Sequence, residues 1–117
     1  MIGIDLVEVD RFTLDEKFIS RIADEEEVAY IKTSPALSLQ RLAALWAVKE
    51  AVIKALNLGG SGVSFRDIKL CHEKSGKPYV ELSGKAKQEM DAFHYGQTVE
   101  VSLSHTKNYA TAIAIIK

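Results

Sequence analysis

An α+β fold, with a largely antiparallel sheet and one long buried helix, is what this 117-residue sequence predicts. Three observations point there. Segments of strand and helix periodicity follow in the order β-α-α-α-β-β-α-β-β. The stretch from Ser38 to Asn57 is rich in Ala and Leu and apolar almost all round. The later strands are joined in pairs by turn-forming peptides, which makes antiparallel hairpins of them.

Met1 to Val9 alternates Ile2, Ile4 and Leu6 with Gly3, Asp5 and Val7, the pattern of a strand with one side in the core, interrupted by Asp5. Thr13-Leu14-Asp15-Glu16 has capping-box form, so a short helix is predicted over Leu14 to Ala23 with Leu14, Phe18 and Ile22 on one face. Asp24 followed by Glu25, Glu26 and Glu27 starts a second helix, because acidic side chains suit a helix N-terminus, and Ser34-Pro35 stops it. Ser38 to Asn57 is the third and strongest, with Gly59-Gly60-Ser61-Gly62 able to cap it and turn the chain.

Ile68 to His72 and Pro78 to Leu82 flank the turn-prone Lys74-Ser75-Gly76-Lys77 and read as a hairpin. Ser83-Gly84 then releases Lys85 to Phe93 as a helix. Thr98 to Ser104 sets Val99, Val101 and Leu103 outward against Glu100, Ser102 and Ser104, and the Ala- and Ile-rich Tyr109 to Ile116 closes a second hairpin around His105-Thr106-Lys107-Asn108. With no repeat, linker or low-complexity tract in between, one domain over residues 1–117 is expected.

At 47% hydrophobic and 26% charged residues, the composition is ordinary for a domain with a thin core. So small a domain builds a sizeable cleft more readily between subunits than within one, and oligomerisation is expected. The formal net charge of −1 supplies no general field to draw the chain to nucleic acid or to an anionic membrane, so neither is an expected partner. The single Cys71 excludes an intrachain disulfide framework, and Cys71-His72 has no zinc-type spacing with His94 or His105. A cytoplasmic location is the expectation: no apolar run approaches the ~20 residues of a membrane span, and Met1 to Asp5 lacks a signal peptide's basic region.

On a helical wheel, Leu42, Leu45, Trp46, Ile53 and Leu56 share one arc that also contains Lys49. Glu50 sits at the edge of that arc, and Lys54 projects from a neighbouring face of Ala43, Ala47 and Ala51. These are the only charged side chains from Leu42 to Leu56, and charge on a buried helix is costly unless paired or ligand-bound. One reading makes Glu50 and Lys54 a surface pair one turn apart, with Lys49 snorkelling outward and Asp5 capping a turn or facing solvent. The other joins Asp5 and Glu50, two carboxylates in apolar elements with lysines nearby, as donors to a hard cation such as Mg²⁺. The Gly-rich turn lets backbone approach a phosphate but lacks the Gly-Lys-Ser/Thr ending of a P-loop. His105, in a hairpin turn, reads as a solvent-facing or hydrogen-bonding side chain rather than a catalyst, and Trp46, Phe65 and Tyr109 read as core.

Gly3-Ile4-Asp5-Leu6, the helix Trp46-Ala47-Val48-Lys49-Glu50-Ala51-Val52-Ile53-Lys54-Ala55-Leu56, Val63 to Ile68, Gly76-Lys77-Pro78 and Val101 to Lys107 occur in an order that spans the chain. In these segments the sequence resembles the holo-acyl-carrier-protein synthase family, the short class of 4'-phosphopantetheinyl transferases, whose fold the resemblance implies. It implies that Asp5 and Glu50 hold Mg²⁺, which also contacts the pyrophosphate of coenzyme A. It implies further that Lys54 and the region of His105 and Thr106 hold the coenzyme's phosphates, while Gly60, Ser61 and Gly62 line the nucleotide pocket. Leu45-Trp46 stands where the family often carries Arg-Phe, and Arg41 is a candidate to supply the missing basic contact. Arg11, Lys17 and Arg21 match basic positions that the family turns toward an acidic acyl carrier protein. Members of the short class form trimers with active sites at subunit contacts, so a homotrimer is implied.

The implied reaction is attack by a carrier-protein serine on the β-phosphorus of coenzyme A, releasing adenosine 3',5'-bisphosphate. In it Lys54 compensates developing charge, Glu50 is a candidate base, and Lys49 is an alternative orienting group. Two other functions share the same residues: a Mg²⁺-dependent nucleotide pyrophosphate hydrolase, and a non-enzymatic module that binds coenzyme A or the carrier.

Overall fold

A computed structural model of the chain describes residues 1–59 and 62–117. Strand β1 (Ile2–Glu8) runs through a 3-10 turn (Val9–Arg11) to helices α1 (Glu16–Ile22) and α2 (Glu25–Lys32), and a second such turn (Pro35–Leu37) leads into α3 (Ser38–Ala55). A third (Phe65–Asp67) precedes β2 (Ile68–His72) and β3 (Pro78–Leu82), and α4 (Gly84–Phe93), β4 (Val99–His105) and β5 (Tyr109–Ile116) complete the order. All strand pairs are antiparallel: β5 lies between β1 and β4 in one sheet, and β2 pairs with β3 in another. The predicted fold class and element order are those observed.

The α3 helix lies across the inner face of the three-stranded sheet. Small side chains bring the two close: Ala110, Ala112 and Ala114 of β5 and Ala43, Ala47 and Ala51 of α3 are all buried. Gly3 makes the closest approach. A Cβ there would fall 1.9 Å from Ala51 O and 2.6 Å from Ala55 N, so only glycine fits.

That approach decides which side of β1 faces inward. Gly3, Asp5 and Val7 pair with Ala114, Ala112 and Ala110, and turn toward α3. Ile2, Ile4 and Leu6 stay 66%, 61% and 65% exposed. The strand pattern is as expected, but its more hydrophobic side points away from α3. On β4 the prediction is likewise inverted: Val101 and Leu103 stand opposite Ala114 and Ala112 and share their inward face, leaving Glu100, Ser102 and Ser104 outward.

Local caps also differ. The Thr13 capping box does not form; α1 begins later, where Asp15 accepts the Lys17 N–H at 3.2 Å. Asp24 does build a reciprocal box, its side chain accepting from Glu27 N and the Glu27 side chain accepting from Asp24 N. The α3 helix is ended by Asn57 before the Gly-rich run is reached. Asn57 takes φ 56°, and the Leu58 and Asn57 N–H groups donate to Ile53 O and Lys54 O, which is a Schellman motif. Asn tolerates this left-handed conformation better than other residues with a Cβ.

Candidate active site

The contact of Gly3 with Ala51 and Ala55 sets Asp5 beside the C-terminal part of α3, which carries Glu50 and Lys54. The Asp5 side chain is 13% exposed and its Oδ1 accepts from Lys54 Nζ at 3.0 Å, while Lys54 remains 51% exposed. Lys54 Nζ also donates to Ile4 O at 3.0 Å, and the Thr111 hydroxyl donates to Asp5 O at 2.8 Å. The other carboxylate oxygen, Asp5 Oδ2, is buried and has no hydrogen-bond partner among the described residues. Burial, and after it the negative charge of Asp5, push the Glu50 carboxyl above the usual carboxylate range, with Lys54 pulling the other way. Lys54 therefore bridges to β1, and the surface-pair reading of Glu50 and Lys54 gives way to a three-residue cluster.

An orphaned buried carboxylate oxygen beside a second, repelling carboxylate is costly by itself and is relieved by a cation. The donors are oxygens alone, and among the described residues no group of three or more His, Cys, Asp or Glu comes together to hold a metal. Two carboxylates of this kind fit Mg²⁺, which typically completes its octahedron with water and substrate phosphate.

Lys49, one residue from Glu50, is engaged elsewhere. It is fully buried, and its Nζ donates to Ile22 O, to Phe65 O at 3.0 Å and to the Glu27 carboxylate, 3.1 Å from Oε2. Glu27, also buried, accepts the backbone N–H groups of Asp24 and Leu70 as well. Burial draws the Lys49 ammonium below the ordinary lysine range, opposed by Glu27. Lys49 neither snorkels nor orients a substrate, because its three N–H donors are used inside the core. The capping pattern Asp24-x-x-Glu27 was the available signal for Glu27, and nothing in it named Lys49 as a partner.

His105 and Thr106 lie at the far end of the β4–β5 pair. His105 Nδ1 is 2.9 Å from Gln40 Oε1, and Thr106 Oγ1 accepts from Asn108 N and Tyr109 N. Gln40 precedes Glu50 by ten residues of α3, about 15 Å along the helix axis at ~1.5 Å per residue. Within one chain these two groups of predicted residues are apart.

The family model described as the 4'-phosphopantetheinyl transferase superfamily matches residues 1–114. The chain belongs to that superfamily. The holo-[acyl-carrier-protein] synthase of a Thermoanaerobacter species is 38% identical over 118 residues, covering 97% of this chain and 84% of that protein. The Verminephrobacter eiseniae protein of the same name is 40% identical over 121 residues, covering 98% and 91%. The crystal structure of Helicobacter pylori holo-[acyl-carrier-protein] synthase in complex with coenzyme A aligns with a TM-score of 0.82 at 31% identity over 100% of both chains.

In this phosphopantetheinyl transferase the remaining predicted residues are dispersed. Gly62 takes φ 79°, and a Cβ there would meet nothing within 4 Å among the described residues, whereas Gly60 and Ser61 lie outside them. Arg41 turns to α2: its guanidinium stacks 4.3 Å from the Tyr30 ring centroid and donates to Tyr30 O and Thr33 Oγ1. Tyr109 is half exposed, against its expected place in the core, while Trp46 and Phe65 pack against each other on the core at 4.6 Å. Arg11, Lys17 and Arg21 are all exposed. Arg11 lines a cleft of about 350 Å³ with Val7, Phe12, Thr13, Asp15, Phe18 and Trp46. Trp46 stands one helical turn before Glu50, so that cleft opens beside the cluster.

Proposed function

We propose that this phosphopantetheinyl transferase moves the 4'-phosphopantetheine arm of coenzyme A onto a serine of an apo acyl carrier protein and releases adenosine 3',5'-bisphosphate. The observation that carries the reading is the buried Asp5 Oδ2, unpartnered among the described residues, beside Glu50, with Lys54 bonded to the same Asp5. Asp5 and Glu50 would hold Mg²⁺. When bound, the ion neutralises pyrophosphate charge and makes phosphorus a better electrophile.

Lys54 has three N–H donors, of which Asp5 Oδ1 and Ile4 O take two. The third, on a half-exposed ammonium, has no partner among the described residues and would bind a coenzyme phosphate and offset the charge that grows on the departing adenosine bisphosphate. In the transfer, the serine Oγ bonds to the β-phosphorus as the bond to the bridging oxygen breaks. Glu50, whose carboxylate lies beside Asp5, would take the serine proton. Positioning and charge suffice, and no covalent enzyme intermediate forms.

The same reading includes a homotrimer. On the outward sheet face Ile2, Ile4 and Leu6 stand beside Ile115, Ile113 and Thr111, an apolar surface of the kind that soluble proteins cover by association. A second copy also resolves the separation of His105 and Thr106 from Glu50, because the sheet end carrying them in one copy can close over the cluster of the next. The acidic carrier docks on Arg11, Lys17 and Arg21, next to the cleft beside Trp46. Among the described residues no helix is long and apolar enough to cross a membrane, and Cys71 is a free thiol; a cytoplasmic setting fits both.

Intact-mass analysis of apo carrier protein incubated with the chain, coenzyme A and Mg²⁺ tests the reading. A phosphopantetheine increment on the carrier is the expected result. Adenosine bisphosphate released without that increment would make the protein a hydrolase, and coenzyme bound with neither product would make it a binding module.

A further inference from the structure

The α1 helix has seven residues, too few to hold itself helical in water. Its C-terminal end also lacks the usual glycine cap: Ala23 is extended, and Asp24 already caps α2. The last carbonyls of a helix need partners from outside it. Ile19 O accepts from Ala23 N, and cations from two other elements serve three more carbonyls. Arg66 Nη1 donates to Ser20 O and to Ala23 O, each at 2.7 Å, and Lys49 Nζ donates to Ile22 O. Cations at this end also complement the helix dipole.

Both cations lead back to the cluster on α3. Lys49 precedes Glu50 directly, and its second carbonyl partner is Phe65 O, next to Arg66. The Phe65 ring lies 4.6 Å from Trp46, and Phe18 of α1 lies 5.8 Å from the same indole, one turn before Glu50. The helix that exposes Lys17 and Arg21 is thus tied by its own C-terminal carbonyls to the residues flanking Glu50.

We propose that Arg66, with Lys49 behind it, is a positioning residue for the acceptor protein: the pair clamps the C-terminal carbonyls of α1 and so fixes the Lys17 and Arg21 face relative to Glu50. The inference rests on the reading that the carrier docks on α1. Arg66 makes its contribution through backbone carbonyls, so geometry matters and its charge alone does not suffice. Lysine at this position keeps the charge but reaches one bond less far, and its compact ammonium is not a substitute for the guanidinium.

The test uses exposed Arg66, whose replacement spares the core, and compares Arg66→Lys with Arg66→Met in the full-length protein. KM for apo carrier, KM for coenzyme A, kcat and melting temperature are measured at low and high salt. Both variants should raise the carrier KM alike, by about tenfold for two lost charge-assisted bonds, at either salt. Coenzyme KM and kcat should stay at the unsubstituted values, and the melting temperature should fall by no more than the roughly 10 °C that two lost bonds cost, alike in both variants. A wild-type Arg66→Lys beside a salt-sensitive defect in Arg66→Met would overturn the proposal, since Arg66 would then act as a surface charge. So would an unchanged carrier KM in both, or a uniform loss of coenzyme binding, kcat and melting temperature. Charge reversal of Arg11, Lys17 and Arg21 is run in parallel. If reversal raises the carrier KM and the Arg66 variants do not, the clamp alone fails; if reversal too is silent, docking on α1 fails and the clamp with it.

Discussion

Replacing Gly3 by Ala puts the packing of β1 on α3 to a direct test, because the added methyl meets main chain. The new Cβ would lie 1.9 Å from Ala51 O, 2.6 Å from Ala55 N and 3.0 Å from Ala51 C, and no side-chain rotation relieves contacts with helix backbone. Ordinary contact begins near 3.4 Å, so the strand must withdraw by about 1.5 Å or the helix must yield as much. Overpacking of a core costs about 1–3 kcal/mol, and an unyielding obstacle puts Gly3→Ala at the upper end, about 3 kcal/mol. For a chain of this size that lowers the melting temperature by roughly 10–15 °C. Asp5 is two residues along on the same face of β1, so the withdrawal also carries its carboxylate away from Glu50 and Lys54. Thermal melts monitored by circular dichroism give the stability, and a Mg²⁺ titration of transfer at a temperature where the variant is folded gives the site effect. The variant should need more Mg²⁺ for half-maximal rate. A melting temperature within about 2 °C of the parent, with an unchanged Mg²⁺ requirement, would refute the close approach of β1 and α3.

Lys49→Met strands the buried Glu27 carboxylate and should cost about 3–5 kcal/mol in urea unfolding, whereas Glu27→Gln with Lys49→Met should recover most of it; additive losses would contradict the pair. Burial, then the Arg41 charge, hold the His72 imidazole below its ordinary value of 6.5, so the unfolded chain takes up that proton first as the pH falls. The His72 contribution is therefore intact above about pH 6.5 and lost as pH falls from there through the lower folded value; His72→Phe, which keeps a ring stacked on Tyr30, should flatten the fall in melting temperature between about pH 7 and about pH 5, and an unchanged slope would contradict it. Ile113→Glu, beside Ile4 on the outward sheet face, should yield a folded monomer in sedimentation equilibrium with transfer lost, and a trimer that survives it would exclude this face as the subunit contact.

The order of elements was legible because it depends on local periodicity and turn chemistry, both of which survive in a linear sequence. The inward face of β1 was not. Hydrophobicity favours Ile2, Ile4 and Leu6, yet the inward set is Gly3, Asp5 and Val7, because only a strand without a side chain at position 3 can approach Ala51 and Ala55 this closely. Cap choices were ambiguous for a related reason. Thr13 and Asp15 compete for one helix start, and Asn57 ends α3 before the glycines that looked sufficient.

At the site, Asp5, Glu50 and Lys54 stood out as charges in apolar elements, and the fold brings them together. Their pairing was hidden, since the bond from Lys54 to Asp5 spans 49 residues of sequence. The same holds for Lys49 and Glu27, which are 22 residues apart. Lys49 looked like a member of the site because it adjoins Glu50, but neighbours on a helix point about 100° apart. Here that turn separates a core ion pair from the candidate metal ligand.

The central claim is that Asp5 and Glu50 bind the metal that transfer requires. It is tested most directly by Asp5→Asn and Glu50→Gln, each assayed for transfer of phosphopantetheine to carrier protein across a Mg²⁺ titration, with thermal melts to establish that both variants fold. An amide keeps the size of the side chain and removes the negative charge, so each variant should lose at least about a hundredfold in transfer rate at limiting Mg²⁺ while its fold persists. Near-parental transfer at limiting Mg²⁺ by either folded variant would contradict the claim for that residue.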